Sequence, residues 1–228
     1  MAKNDHAGHR AHLRQRFEKA GFKGFADHEI IELLLTLCIP RKDVKQQAKR
    51  LLKQFGNLKR ILDADTDSLR AIEGIGSVTP IALKIIRHVA TLYLEQDLHN
   101  DPLLNSSKKI EDFWRFRLGG ERKEVFEVAY LDRAYKLLPN GIERLEEGTI
   151  DRAVVYPRKV VEAALKRSAA AIILVHNHPT GNTEPSENDK KVTFALDSAC
   201  ESLDIELVDH LIIADKETYS FRRNGFLS

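Results

Sequence analysis

The first hundred residues carry apolar positions at helical spacing. Apolar side chains recur every three or four positions along several segments, which is the pattern of helices that bury one face. Pro40 and Gly56 stand where two of these segments end. The pattern predicts an all-helical domain over residues 1–98, whose last helix runs from about Val78 to Leu98.

The rest of the chain mixes strand and helix patterns. Residues 123–131 alternate in side-chain character, and residues 171–175 form a short β-branched apolar run, both of which are typical of strands. The order of elements predicts a mixed α+β or α/β fold, with a curved, mostly antiparallel sheet flanked by helices. We expect strands near 123–131, 135–138, 142–145, 171–175, 205–214 and 219–221, with helices after Ser107, after Pro157 and from Ser186 to about Leu203.

A polar segment that contains a proline separates the two patterns. His99-Asn100-Asp101-Pro102 has the composition of a domain boundary. We therefore predict a helical domain over 1–98, a linker over 99–105 and a second domain over 106–228.

Charge is distributed unevenly along the chain. Residues 1–100 hold 17 basic and 12 acidic side chains, for a net charge of +5, although the whole chain carries only +2. A basic first part favours a polyanionic partner such as DNA. A solvated basic face explains the excess equally well.

Composition places the protein among soluble globular proteins. Hydrophobic residues make up 43% and charged residues 31% of the chain. No apolar run approaches the ~18 to 20 residues of a membrane span, and the N-terminus lacks the apolar segment of a signal peptide. Cys38 and Cys200 are far apart in apolar contexts, so we expect reduced core thiols in a cytoplasmic protein.

Two glycines separate predicted helices in the first domain. Gly74-Ile75-Gly76 stands between a short helix and the helix from Val78, which is typical of a helix-hairpin-helix. Glycine lets a backbone approach a phosphate, and the next helix N-terminus offers N–H donors. Gly74, Gly76 and Lys84 are therefore candidate residues for non-specific, salt-dependent DNA binding. A glycine-rich turn between packed helices accounts for the pattern equally well.

The strongest chemical signal follows the apolar run 171–175. Side chains two positions apart on a strand point the same way, so His176 and His178 project together from its end. Pro179 ends the strand pairing because it has no N–H. After a polar turn a new helix begins, and Asp189 in its first turn can face both imidazoles.

Two histidines and one aspartate suit a divalent metal, zinc above all. Three protein ligands leave a fourth position for water, whose pKa on zinc falls to roughly 7. We predict one Zn²⁺ per chain, held by His176, His178 and Asp189, with Ser186 as a hydrogen-bond donor to a developing oxyanion. Two simpler interpretations stay open. Ser186 and Asp189 also form a capping-box pattern, and a His-x-His pair occurs at ordinary strand ends.

The motif resembles that of the JAMM (MPN+) metalloproteases, in which His-x-His is followed after seven residues by Ser and after two more by Asp. The surrounding residues 176–181 and Pro185-Ser186 are similar to the bacterial RadC branch. JAMM proteins usually have Ser or Thr between the histidines. Asn177 stands there in this chain, which is the usual RadC form and separates it from the eukaryotic deubiquitinating enzymes. The first domain, including Gly74-Ile75-Gly76, also resembles its RadC counterpart.

The resemblance implies a fold and an activity. The fold would be a JAMM/MPN-like, cytidine-deaminase-like domain over residues 106–228. The activity would be zinc-dependent hydrolysis of a peptide or isopeptide amide bond in an unknown protein or peptide substrate. The family name also carries an association with DNA repair.

Hydrolysis of this kind needs a carboxylate that accepts a proton from water and returns it to the leaving group. Glu121, Glu124 and Glu127 are the candidates, and strand alternation places Glu124 and Glu127 on opposite faces. RadC relatives have a Glu-x-Phe stretch eight residues before an Asp, which Glu124 and Asp132 match. The resemblance therefore assigns the role to Glu124, with Glu127 as the runner-up.

Two other functions stay open. In the first alternative, the protein is a DNA-binding accessory factor with a structural metal. In the second, it is a metal-dependent nuclease, although a single carboxylate ligand suits a nuclease less well. His210 and Asp209 are either groups that support the site or ordinary buried polar residues.

Overall fold

A computed structural model of the protein describes residues 5–40, 42–100, 102–103, 107–147, 156–214 and 217–227. The chain divides into two compact units, residues 1–90 and 91–228. In its described part the first unit is helical, and the second contains a five-stranded mixed sheet with flanking helices. The predicted order of a helical region before a mixed sheet is therefore confirmed.

Several helices of the first unit share one apolar core. Ile31, Leu51, Ile61 and Leu83 are shielded from solvent there, and each comes from a different helix. The helices that begin in this unit are α1 (Asp5–Ala20), α2 (Asp27–Cys38), α3 (Lys45–Phe55), α4 (Leu58–Asp63), α5 (Thr66–Arg70) and α6 (Val78–Asn100).

Helix α6 passes the predicted start of the linker. Because α6 continues to Asn100, the first two residues of the predicted linker 99–105 are helical, and residues 101 and 104–106 lie outside the described residues. At 23 residues α6 is the longest described helix. Neither α6 nor any other described helix is both long enough and apolar enough to cross a membrane.

The sheet of the second unit combines antiparallel and parallel pairs. Its strand order is β2-β1-β3-β4-β5, and only β3 and β4 run parallel. Helix α9 connects these two strands, as a parallel pair requires. The elements are α7 (Ser107–Leu118), β1 (Val125–Leu131), β2 (Leu137–Glu147), α8 (Pro157–Lys166), β3 (Ala171–Asn177), α9 (Glu187–Glu201), β4 (Glu206–Ile213) and β5 (Thr218–Ser220).

Different helices cover the two faces of this sheet. Val128 and Leu174 belong to a core shared with α8 and α9, whereas Ile173 packs in a second core with Trp114 of α7. Because side chains alternate along β3, the His176 side chain lies on the same face of the sheet as Leu174, which is the face covered by α9.

The predicted strands 135–138 and 142–145 belong to one strand, β2, except that residues 135–136 precede its start. Strand β2 is interrupted by a bulge where its pairing with β1 changes register. Asn140 has φ +51°, and a Cβ added to Gly141 would lie 2.5 Å from a backbone oxygen. Asn-Gly is typical of a hairpin turn, but here it lets a continuous strand bulge. Residues 148–149, expected after the third strand, lie outside the described part of the chain.

Candidate metal centre

Four side chains that can ligate a metal meet at one end of the central strands. His176 and His178 stand at the end of β3, Asp189 lies in the first turn of α9, and Glu124 immediately precedes β1. One ligand atom from each of the four lies within 4.8 Å of the others. Among the described residues, no other group of three or more potential ligands comes together in this way.

The sheet register explains this convergence. Phe126 pairs with His176 in the antiparallel β1–β3 ladder, so Glu124, two residues earlier, lies at the same end of the sheet. The parallel β3–β4 connection brings the N-terminus of α9 to the carboxyl end of β3, where open sheets place their sites. His178 stays tied to β4, because its backbone N–H donates to Ile213 O at 2.9 Å.

The two candidate ligand imidazoles turn the same nitrogen, Nε2, toward each other. His178 Nδ1 lies 2.7 Å from Asn182 O, and a carbonyl can only accept, so Nδ1 is the donor. Its Nε2 then lies 3.0 Å from His176 Nε2. The Asp189 oxygens lie 3.4 Å from His176 Nε2 and 3.6 Å from His178 Nε2. Two nitrogens and one carboxylate aimed at a common point fit a divalent ion such as zinc.

The protonation states suit metal binding. Burial lowers the pKa of His176 to about 4, so this imidazole is neutral near pH 7. Burial opposes ionisation of Asp189, but the two nearby imidazoles of His178 and His176 and the hydrogen bonds from Ser186 outweigh it and hold the pKa of Asp189 well below its usual value. Burial also acts on His178, yet the contacts with Asp189 and Asn182 raise its pKa overall. A metal ion therefore competes for this site mainly with the proton on His178.

Ser186 caps α9 and orients Asp189 at the same time. Its Oγ and its N–H both donate to Asp189 Oδ2, at 2.6 and 2.7 Å, and Asp189 N–H donates back to Oγ at 3.1 Å. This is the reciprocal capping box that the sequence left open as an alternative. The same hydrogen bonds therefore cap the helix and fix the orientation of the carboxylate that is a candidate metal ligand.

The three candidate glutamates occupy different environments. Glu124 is partly exposed beside the ligand cluster. Glu127 lies on the opposite face of β1, fully buried, where it pairs with Arg117 at 2.7 Å and Arg144 at 3.2 Å. Glu121 accepts from Arg144 at 3.1 Å. Of the three, the structure brings only Glu124 to the histidines and the aspartate.

Comparison with known proteins identifies the family of the chain. Residues 104–226 match the family model described as RadC-like JAB domain, and residues 8–81 match the one described as UPF0758 N-terminal. The chain belongs to the RadC-like family. A UPF0758 protein of Ruegeria pomeroyi is 38% identical over 96% of this chain and 97% of its own length. Another from Fusobacterium nucleatum is 35% identical over the full length of both chains.

Two polar residues of the RadC-like domain had no assigned role in the sequence. Asn177, only 2% exposed, accepts from Val125 N–H at 2.8 Å and donates to Lys123 O at 3.0 Å, on either side of Glu124. Thr193, also buried, lies in α9, and its Oγ1 is 2.6 Å from Nδ1 of His210 in β4. The one sequence signal for Asn177 is its place between the two histidines.

His210 and Asp209 point in different directions. His210 is fully buried beside His176, with 2.8 Å between its Nε2 and His176 Nδ1. Asp209 instead accepts from Ser220 Oγ at 2.6 Å and from Arg222 N–H at 3.0 Å. His210 therefore contacts the candidate metal centre, whereas the hydrogen bonds of Asp209 hold the segment around β5.

In the UPF0758 N-terminal region, the candidate DNA-binding residues have differing surroundings. Gly74 has φ +86°, and an added Cβ would lie 2.6 Å from the Gln47 side chain. Gly76 has open space around the same position. The Lys84 ammonium donates to Leu62 O and Asp63 O, at 3.2 and 3.1 Å, and so caps the end of α4. Contacts within the unit therefore explain the presence of Gly74 and Lys84, whereas Gly76 has open space beside it.

Proposed function

We propose that the protein is a zinc-dependent hydrolase of the JAMM type that cleaves peptide or isopeptide amide bonds. The observation that carries this proposal is the position of Glu124. Its carboxylate lies within 4.8 Å of the donor atoms of His176, His178 and Asp189, yet it is partly exposed. A carboxylate that is near the metal ligands and open to solvent can meet both a water molecule and a substrate.

His176, His178 and Asp189 would hold the metal and leave a position open for water and substrate. One bound Zn²⁺ supplies Lewis acidity and makes water acidic near neutral pH. Glu124 accepts a proton from the attacking water on its carboxylate oxygen and then gives it to the leaving amine nitrogen.

Ser186 has two proposed tasks in this reaction. Its hydroxyl holds the Asp189 carboxylate at 2.6 Å. Donation to the substrate oxyanion, as the motif predicts, requires that hydrogen to turn from Asp189 toward the substrate. Replacement by Ala therefore weakens metal binding as well as turnover, and the two effects are separated by assaying at saturating zinc.

The test compares zinc content and turnover in the full chain. Wild type is expected to bind one zinc ion and to cleave members of a peptide and lysine-isopeptide library. Glu124→Gln is expected to keep the metal and to lose turnover by roughly 100-fold or more. Glu187→Gln removes an exposed carboxylate one helix turn or less from Asp189 and serves as the matched control. Full turnover in Glu124→Gln, or a wild type without zinc affinity, would reject the proposal.

A second function, DNA binding by a helix-hairpin-helix in the first unit, is favoured by one observation. The loop between α5 and α6 contains Gly76, with open space around its Cα. Such a loop can approach a phosphate, and residues 1–100 carry the net charge of +5 that attracts one. This proposal would link the protein to DNA repair.

The DNA experiment is a titration of short duplexes at several salt concentrations. Binding that weakens steeply with salt, is lost in Gly76→Glu and persists in His178→Ala would support an independent DNA-binding function. Salt-independent binding, or binding unchanged in Gly76→Glu, would reject it. Cleavage of the duplex that requires zinc and Glu124 would favour the nuclease alternative over amide hydrolysis.

A further inference from the structure

A chain of buried hydrogen bonds runs behind the candidate ligands. His176 Nδ1 lies 2.8 Å from His210 Nε2, and His210 Nδ1 lies 2.6 Å from Thr193 Oγ1. Thr193 Oγ1 in turn lies 2.6 Å from the backbone oxygen of Asp189. This series of hydrogen bonds therefore starts on the side chain of one proposed ligand, His176, and ends on the backbone of another, Asp189. His176, Thr193 and His210 are all fully shielded from solvent.

The last partner fixes the direction of every bond. A backbone oxygen only accepts, so the single hydroxyl hydrogen of Thr193 goes to Asp189 O. Thr193 Oγ1 must then accept, which makes His210 Nδ1 the donor. A neutral His210 with its hydrogen on Nδ1 has a lone pair on Nε2, so His176 Nδ1 donates to it. The lone pair of His176 is left on Nε2, the atom that faces His178 and Asp189.

We propose that Thr193 and His210 are positioning residues that set the tautomer of His176 and aim its Nε2 lone pair at the metal. The inference rests on the proposed metal site. It goes beyond that site because it assigns a task to two residues that touch neither metal nor substrate. Partners of this kind hold ligand imidazoles in one orientation and raise their basicity.

Ring packing supports the same task. His210 stacks on Phe221, with centroids 4.8 Å apart and planes 12° apart. His176 stacks on Phe126, at 5.5 Å and 8°. The stacked aromatic side chains restrict rotation of both imidazoles, so the hydrogen bonds meet nitrogens that are already in place.

The first test is a pair of isosteric substitutions in the full chain. Thr193→Val keeps the branched shape and removes the hydroxyl, so His210 loses the acceptor that holds its Nδ1 hydrogen. Thr193→Ser keeps the hydroxyl and is the matched control. We expect Thr193→Val to weaken Zn²⁺ binding roughly 10- to 100-fold in a chelator competition, and Thr193→Ser to restore it to within a few-fold of wild type. Equal affinities for wild type and Thr193→Val would overturn the inference.

The second test reads the tautomers directly, by ¹⁵N NMR of the histidine rings. We expect His210 protonated on Nδ1 and not on Nε2, both in zinc-loaded protein and in protein treated with a chelator. The opposite tautomer of His210 would overturn the inference whether or not zinc binds. A wild type that binds zinc and has this tautomer, but cleaves no amide bond, would reject the proposed function and leave the positioning role intact.

Discussion

The side-chain oxygen of Asn177 accepts a hydrogen bond from the backbone N–H of Val125 at 2.8 Å. The same amide donates to Lys123 O at 3.0 Å, so it continues the β1–β3 ladder by one step beyond the pair of Phe126 with His176. Glu124 lies between the two backbone groups that Asn177 holds. The residue between the candidate ligands therefore also fixes the backbone that carries the candidate proton acceptor.

These two hydrogen bonds predict that replacing Asn177 by a shorter side chain lowers the stability of the second unit. Asn177→Ser, which introduces a residue type usual in JAMM proteins, removes both hydrogen bonds at a buried position. We expect the free energy of unfolding of the second unit to fall by about 2 kcal/mol, at about 1 kcal/mol for each bond lost. Urea unfolding followed by Trp114 fluorescence measures it, because Trp114 is the one tryptophan of the chain.

The control for this prediction is the same substitution on the surface. Asn188→Ser lies at an exposed position of α9, and we expect a change within about 0.5 kcal/mol. Amide exchange of Val125 should accelerate in Asn177→Ser and not in Asn188→Ser. Unchanged exchange at Val125 would contradict the bond pattern described above.

Glu127 is expected to matter for folding rather than for catalysis. It is completely buried between Arg117 and Arg144, so Glu127→Gln leaves two cations that have lost their shared counter-charge. Each arginine is partly exposed and keeps a second carboxylate partner, so we expect the loss of these charged hydrogen bonds to cost about 2 to 3 kcal/mol. Glu124→Gln, at a partly exposed position, should change the free energy of unfolding by less than about 1 kcal/mol. Denaturant unfolding of both variants measures the two changes. A larger loss of stability in Glu124→Gln than in Glu127→Gln would contradict the structural role of Glu127.

Local sequence rules were sufficient to predict that the candidate ligands come together, but insufficient to predict their surroundings. His176, His178 and Asp189 lie within one strand, one turn and the first turn of one helix, so periodicity and capping predict their meeting. The choice between Glu124 and Glu127 depends on which face of β1 looks toward His176. That is a property of the β1–β3 register, which the sequence alone does not give, so the assignment to Glu124 depended on the family resemblance.

The parts that could not be predicted depend on distant pairing. Asn177 and Val125 are 52 positions apart in the chain, and Thr193 and His210 meet only because α9 packs beside β4. The single strand β2 was missed because Asn140-Gly141 is a strong local turn signal. Pairing with β1 overrides that signal, and the extra residues are accommodated as a bulge.

The first unit should have a specific acid sensitivity. A bidentate ion pair with Arg16, at 2.6 and 3.2 Å, and a hydrogen bond from Ala26 N–H lower the pKa of Glu29 from 4.5 to about 2. A carboxyl whose pKa is lower in the folded state contributes stability above its unfolded pKa. This contribution is lost as the pH falls from 4.5 toward 2.

Glu29→Gln should remove that part of the pH dependence while it keeps an acceptor for Ala26. Far-UV circular dichroism during urea unfolding at pH 7 and pH 3 measures it. The difference between the two pH values should be smaller in Glu29→Gln than in wild type. Glu73→Gln removes an exposed carboxylate of the same unit and should leave the difference unchanged. An equal reduction in both variants would contradict the assignment to Glu29.

Removal of the metal should destabilise the second unit. In the described geometry His176 Nε2 and His178 Nε2 face each other at 3.0 Å, with Asp189 alongside, so a bound cation would join the end of β3 to the first turn of α9. Zinc at a hundred times its dissociation constant would add about 2.7 kcal/mol to the free energy of unfolding. A chelator should therefore lower the unfolding temperature reported by Trp114. Asp189→Asn keeps a capping group on α9 but loses the anionic ligand, so its unfolding temperature should be much less sensitive to zinc. An equal zinc shift in wild type and Asp189→Asn would place the ion elsewhere in the chain.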